Sequence, residues 1–300
     1  IYASAAGSYS VTVGNGTPVS NSNSLSFDGQ DDYVEVLHSS SFENLTKLTL
    51  SFNVKINNWP QNYINGGGYN YAAYRVLDKW EGSSQSRSFE VSIFNDATLL
   101  SDGSFVQGGI DGCINGGCYE GIPLTLLSMG EFHNVDLVFD GDRFISYLDG
   151  QLINNVDIPN FTNVSYSSNN LYVGYNQYGP ALHFDGLIDD IHIWNKALNQ
   201  SEIQNYMSCP PTGNEAGLVG YWNFNEGTGS TVTDLTSNGN NGTINGASWS
   251  TQTPNQYCNN CTATDSVVVN VIPSPTIDLG ADTTLICDGT SETLDAGSGF

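Results

Sequence analysis

The chain is poor in positive charge. Seven Lys and Arg stand against 31 Asp and Glu, a formal net charge of −24 over 300 residues. Nucleic-acid binding needs basic side chains to displace phosphate counterions, so that class is excluded. An anionic membrane surface is disfavoured on the same ground. No apolar run reaches the roughly 18 residues of a transmembrane helix. No signal peptide opens the chain, which also does not start with Met, and it reads as a mature or excised segment. The six cysteines show no paired CxxC knuckle and no histidine cluster, which argues against zinc. There is no G-x-S-x-G elbow. No E-x-D-x-x-E run supplies the two carboxylates of glycoside hydrolysis; Glu81 and Glu90 stand singly. His38, His133, His183 and His192 sit in strand-like alternation or alone and read as surface or half-buried residues. The chain is read as non-enzymatic.

What is present is alternation. Hydrophobic residues make up 39% of the chain, enough for a core, and the 33 glycines suit many turns between short strands. "KLTLSFNVKI" (47–56) places Leu48, Leu50, Phe52, Val54 and Ile56 on one strand face. "LSFDGQDDYVEV", "RVLDKW", "SFEVSIF", "HNVDLVFDGDRFISYLDGQLI", "LYVGYN", "HFDGLIDDIHIWNKAL", "GLVGYWNFNEG" and "GTINGASWS" (242–250) continue the pattern, with DGDR and DGQ as tight turns. "NQSEIQNYM" (199–207) is the one expected helix, capped by Asn199 or Ser201, with Ile203, Tyr206 and Met207 inward. The last forty residues lack Trp and Tyr and change character around Pro273 and Pro275. Strands of this number and spacing predict an all-β sandwich.

Two constellations carry chemistry. Asp28, Asp31 and Asp32 share one turn, Asp189 and Asp190 lie in "GLIDDI", and Asp234, Asn238 and Asn240 lie in "TDLTSNGNNG". Hard oxygen ligands on glycine-containing loops suit Ca²⁺; the same residue types also cap turns through their own backbone. The loop "NNWPQNYINGGGYNYAAYR" gathers Trp59, Tyr63, Tyr69, Tyr71 and Tyr74. Such rings stack on sugars, or they seal a sandwich edge or a subunit interface. Six cysteines in an acidic, Asn-rich all-β chain indicate disulfides and an oxidising, extracellular compartment.

The motifs "SLSFDGQDDYVEV", "LTLSFNVKI", "VDLVFDGDRFISYLDGQLI", "FDGLIDDIHIWNKALNQSEIQNYM" and "GLVGYWNFNEGTGSTVTDLTSNGNNGTINGASW" resemble the laminin-G-like, concanavalin A-type jelly rolls of secreted bacterial proteins. The "GYWNF…NGNNGTINGA" element, which often opens such domains, closes this one, as in a circular permutation. The flanks resemble Ig-like repeats of Bacteroidota surface proteins. The resemblance implies a concanavalin A-like jelly-roll sandwich flanked by partial Ig-like modules. Residues 1–16 would be terminal strands of one Ig-like module, 17–258 the jelly roll, 259–272 the last strand of that module, and 273–300 the first strands of the next.

The resemblance also implies a calcium site linking the strand near Asp189 to the Asp234 loop. Cys113 and Cys118 would close the "CINGGC" loop, and Cys209 and Cys258, flanking the permuted element, would staple it. Cys261 and Cys287 would pair with neighbouring units, or with each other. "DSV" and "DTT" fit a short O-glycosylation pattern at Ser266 and Thr283. The function implied is an extracellular or cell-surface structural or adhesive protein, one subunit of a fibre built by β-strand complementation with copies of itself. The alternative is a carbohydrate-binding module of a larger secreted adhesin or enzyme, with polysaccharide as partner.

Overall fold

The computed structural model describes residues 7–11, 17–18, 20–60, 73–80, 87–95, 98–99, 105–106, 109–115, 117–158, 163–175, 183–258 and 265–269. The chain divides into two compact units, Ile1–Ser20 with Gln256–Phe300, and Asn21–Asn255. In the first unit Gly7–Val11 pairs antiparallel with Asp265–Val269, Gly7 opposite Val269. Thr17–Pro18 pairs with Tyr257–Cys258. The strands expected over 276–300 lie outside the described residues.

The second unit is an antiparallel sandwich. Its strands are β1 (Ser24–Asp28), β2 (Tyr33–Val36), β3 (Leu48–Ile56), β4 (Ala73–Trp80), β5 (Arg87–Phe94), β6 (Gly109–Ile114), β7 (Gly117–Pro123) and β8 (Phe132–Phe139). There follow β9 (Arg143–Leu148), β10 (Gln151–Asp157), β11 (Leu171–Val173), β12 (Asp185–Trp194), β13 (Leu218–Trp222), β14 (Thr231–Val232), β15 (Gly242–Asn245) and β16 (Ser248–Ser250). Among the described residues one α-helix, α1 (Gln200–Ser208), follows β12. One sheet runs β7-β6-β5-β4-β11-β2-β15-β14, and the other β10-β9-β8-β3-β12-β1-β16, with β13 also on β12. We call these the front and back sheets.

Alternation builds the core. Leu48, Leu50, Phe52, Val54 and Ile56 of β3 all join one cluster with Val34, Val36, Phe89, Val91 and Ile93 of the front sheet. A fully buried side chain of this size contributes about 1.5–3 kcal/mol. The back sheet is covered on its other side too. Val138, Ile145, Tyr147, Trp194 and Tyr221 pack under Leu198 and Ile203 at the helix. Thr49 pins that layer: its hydroxyl donates to the Lys196 carbonyl (2.7 Å) and accepts the Leu198 N–H (3.0 Å). Asn199 caps α1 in a capping box with Glu202. Asp149 and Gly150 close the β9–β10 hairpin with both φ positive (49° and 70°), the type I′ pattern.

Two local expectations are corrected. The stretch 242–250 is not one strand. Gly246 turns at φ +80°, so β15 joins the front sheet and β16 the back. The hairpin β6–β7 had no counterpart in the sequence reading, because glycines interrupt its pattern. Gly112 stands there because the Phe144 ring occupies the space of a side chain; a Cβ would lie 2.9 Å from it.

Gly246 also faces Asp32, whose Oδ1 would be 2.2 Å from an added Cβ, whereas Gly229 (φ +86°) has open space. Gly229→Ala should therefore cost only backbone strain, about 1 kcal/mol. Gly246→Ala should cost at least twice that, read as a shift in urea midpoint. Equal costs would contradict the crossing geometry.

Candidate functional site

The structure distributes the eight expected calcium ligands over three places. Asp28, Asp31 and Asp32 occupy the turn from β1 to β2, where their oxygens come within 4.8 Å of one another. Asp28 accepts the Gln30 N–H and its side-chain amide (both 2.9 Å), and Asp32 accepts the Asp28 N–H (2.8 Å). Burial raises the pKa of Asp32, and repulsion from Asp28 and Asp31 adds to it against the opposing backbone hydrogen bond. Three crowded carboxylates are oxygen donors of the kind a hard cation takes.

Asp189 and Asp190 instead sit in a bulge of β12, opposite β3, at 0% and 2% exposure. Asp189 accepts the Asn21 side-chain amide and the Asp190 N–H, both at 2.9 Å. Asp190, at φ +47°, accepts the Tyr221 hydroxyl at 3.0 Å. Burial, then the charge of Asp190, holds the Asp189 carboxyl well above the usual range.

The Asp234 loop is tied to β13. Its carboxylate accepts the N–H groups of Tyr221 (3.0 Å), Thr236 (2.9 Å) and Asn240 (2.8 Å) and the Thr236 hydroxyl (2.8 Å). Asn238 and Asn240 donate to the Val219 carbonyl. These bonds tie the turn to β13 and leave it, like Asp189, outside the one acidic cluster found among the described residues.

Of the five rings of the aromatic loop, Trp59 and Tyr74 lie among the described residues. Tyr74 is 6% exposed and lies in the core with its ring edge-on to Phe184 (5.8 Å), so it offers no free face. Trp59 packs partly against the core. Tyr63, Tyr69 and Tyr71 lie outside the described residues, as do Glu81, Cys261, Cys287 and Thr283. Ser266 lies in the strand Asp265–Val269, opposite Ser10. Cys113 and Cys118 form a disulfide across β6 and β7, and Cys209 and Cys258 are each disulfide-bonded.

A constellation absent from the sequence reading lies on the outer face of the front sheet. Val34 and Val36, Leu171 and Val173, and Val91 point into the core, so their neighbours point away from it. Register then sets Thr243, Glu35, Tyr172, Asp78, Glu90 and Cys113 side by side across β15, β2, β11, β4, β5 and β6. Glu35 accepts the Tyr172 hydroxyl (3.0 Å) and the Asn170 amide (2.8 Å). Burial and Glu35 push the Tyr172 hydroxyl up to about 12, so it stays a donor. Tyr33 and Tyr175 lie 5.2 Å apart, and Tyr175 stacks on His183 at 4.8 Å. The His183 ring also reaches the Asp32 carbonyl (3.3 Å), joining this group to the acidic turn. Glu90, which stands alone in sequence, meets Asp78 across the strands. It is ion-paired to Arg75 (2.8 Å), accepts the Ser92 hydroxyl (2.7 Å) and is 2% exposed. Outward-facing residues of "YVEV" and "LYVGYN" were visible as alternation; their adjacency depends on register.

The back sheet hides a second polar row. Asp136, Ser51 and His192 are register neighbours on β8, β3 and β12. His192 is 3% exposed, against the expectation of a surface or half-buried residue, and its ring meets Tyr221 edge-on at 4.7 Å. Burial lowers its pKa to about 3. Burial raises Asp136 to about 7, with Asp149 adding to it and Ser51 opposing.

Residues 28–204 match the family described as the concanavalin A-like lectin/glucanases superfamily. Among solved structures the chain is similar to a Bacteroides ovatus ATCC 8483 protein whose assigned role is carbohydrate binding. The identity is 16% and the TM-score 0.58, over 81% of this chain and 63% of that one. A heptameric SAP-like pentraxin from Limulus polyphemus aligns at 16% identity and TM-score 0.47, over 65% of this chain and 87% of that one. A Trypanosoma rangeli sialidase aligns at 17% identity and TM-score 0.42, over 65% of this chain and 28% of that one. At such identities the likeness is one of fold, and the chain spans less than two thirds of the length of the Bacteroides ovatus protein. No curated protein matches the sequence.

The buried acids set a pH dependence. A carboxyl held near 7 in the folded state binds a proton that the unfolded chain, near 3.9, releases. Its contribution is present below about pH 4 and is lost as pH rises toward 7. His192, neutral when folded, acts in the opposite sense below about pH 6.5. Asp136→Asn isolates the acid's part: it should stabilise the protein relative to wild type at pH 8 by about 1–3 kcal/mol and lose that advantage by pH 4. Urea denaturation at the two pH values checks this; an advantage that grows on acidification would contradict it.

Proposed function

Because the chain belongs to the concanavalin A-like lectin/glucanases superfamily, we propose that its Asn21–Asn255 unit binds carbohydrate on the outer face of the front sheet without hydrolysing it. The observation that carries this is the group around Glu35. Tyr33 and Tyr175 are the half-buried members of a ring cluster backed by Tyr172 and His183, while Glu35, Tyr172 and Asn170 hold one another as a preset hydrogen-bonding array. Aromatic rings beside fixed polar groups are what a sugar, apolar on its ring faces and polar at its rim, requires. Binding is favoured over cleavage because Glu90 is already neutralised by Arg75 and committed to Ser92. Asp28, Asp31 and Asp32 are the residues proposed to hold Ca²⁺, which would screen three like charges and stiffen the turn leading into Tyr33. A disulfide fits an extracellular setting. No helix among the described residues is long and apolar enough to cross a membrane.

A glycan array with wild type and Glu35→Ala tests the reading. We expect hits that weaken at least about tenfold in Glu35→Ala and that fall in EDTA. Hits unchanged by the substitution, or none with Ca²⁺ present, would remove the proposal.

The first unit supports a second role beside this one, as part of an Ig-like fibre subunit. Among the described residues Gly7–Val11 and Asp265–Val269 form a two-stranded antiparallel sheet, a pairing that can be extended at an edge. Strands from a second copy would complete it. Sedimentation at rising concentration should show chain-like oligomers that disappear when residues 1–13 are deleted. Monomers throughout would leave only the binding role.

A further inference from the structure

We propose that the cavity between the edge strands β7 and β10 binds the protonated amine of a hexosamine, a second carbohydrate site apart from the outer face. The cavity measures about 230 Å³ and is lined by Asp111, Glu120, Ile122, Pro123, Ile153 and Asn154, with Gly121 between them. It includes none of the residues grouped around Glu35. It is smaller than the roughly 300 Å³ and upward of drug-sized ligand pockets, a size suited to a single sugar ring.

Its charge is one-sided. Asp111 and Glu120 are register partners, and no basic side chain lines the space. Asp111 is 2% exposed; its Oδ1 accepts the Gly121 N–H (3.2 Å), and its Oδ2 has no hydrogen-bond partner. A buried acceptor without a donor costs free energy unless a ligand supplies one. Burial, with the charge of Glu120, pushes the Asp111 carboxyl up to about 7 against the opposing Gly121 bond. A cationic donor relieves both the missing bond and the like-charge contact.

The remaining walls select the body carrying that cation. A bare divalent ion such as Ca²⁺ wants about six to eight oxygens. Here the Glu120 and Gly121 carbonyls already accept the Asn154 amide (2.8 Å) and the Ser146 hydroxyl (2.7 Å), and Ile122, Pro123 and Ile153 offer apolar surface. An organic ammonium satisfies the carboxylates and lays carbon against those walls. Asn154 has one amide hydrogen committed to Glu120 and a second for a ligand hydroxyl, which favours a sugar over an alkyl chain.

Calorimetric titration with D-glucosamine, D-glucose, N-acetyl-D-glucosamine and methylamine tests this on the full chain. We expect glucosamine to bind at least about tenfold more tightly than the other three. Asp111→Asn keeps an acceptor for Gly121 and removes the charge, so glucosamine affinity should drop about tenfold with no fall in thermal midpoint. Glu120→Gln, at an exposed position, should weaken glucosamine in the same direction and serves if Asp111→Asn folds poorly. Glu35→Ala should leave glucosamine binding intact, which separates this site from the outer face. Equal affinity for glucose and glucosamine, methylamine binding as tightly as glucosamine, or wild-type affinity in both charge variants would each overturn the proposal.

Discussion

The strand Asp185–Trp194 is buried on both faces, and the rest of the sandwich is arranged around that constraint. Ile188, Ile191 and Ile193 fill the main core, and Trp194 fills the layer under the helix. Its length lets it serve three neighbours: β3 along one edge, β1 and then β13 along the other. A strand in that position has no polar side to give to water. Asp189, Asp190 and His192 are therefore buried with it; the bulge at 189–192 lets the two acids meet Asn21 and Tyr221 instead of solvent, and the His192 ring packs against Trp194 and Tyr221. The perturbed titration of this region follows from packing and needs no catalytic role.

The front sheet carries its polar row differently. Its inner face matches the back sheet with Val, Ile and Phe, while its outer face carries acids and rings tied to one another. The two sheets differ in what covers them. The back sheet is closed by α1, fixed through Thr49 and the Asn199–Glu202 capping box. On the front sheet Tyr33, Glu35 and Tyr175 are only half-buried.

Much of the fold was legible because it rests on local rules. The alternation of Leu48 to Ile56 specifies a strand and its core face, and "NQSEIQNYM", with Asn199 or Ser201 as its cap, announces the helix. What was not legible depends on partners distant in sequence. Nothing in "GTINGASWS" says that Gly246 carries the chain from one sheet to the other. Glu90 and Asp78 are twelve positions apart and become neighbours only through the β4–β5 register. The acidic residues show the same limit. The sequence leaves Asp28, Asp189 and Asp234 as either oxygen ligands or turn caps; hydrogen-bond geometry separates a crowded turn from a buried pair and from a hydrogen-bonded turn.

The central claim is that recognition belongs to the outer face of the front sheet, around Glu35. Amide chemical-shift mapping during titration with a soluble glycan taken from an array hit tests it most directly. The account predicts shifts concentrated at 33–36, 170–175 and 243–245, with the back sheet and α1 silent. Shifts confined to the back sheet, or to the loops at its edge, would contradict it.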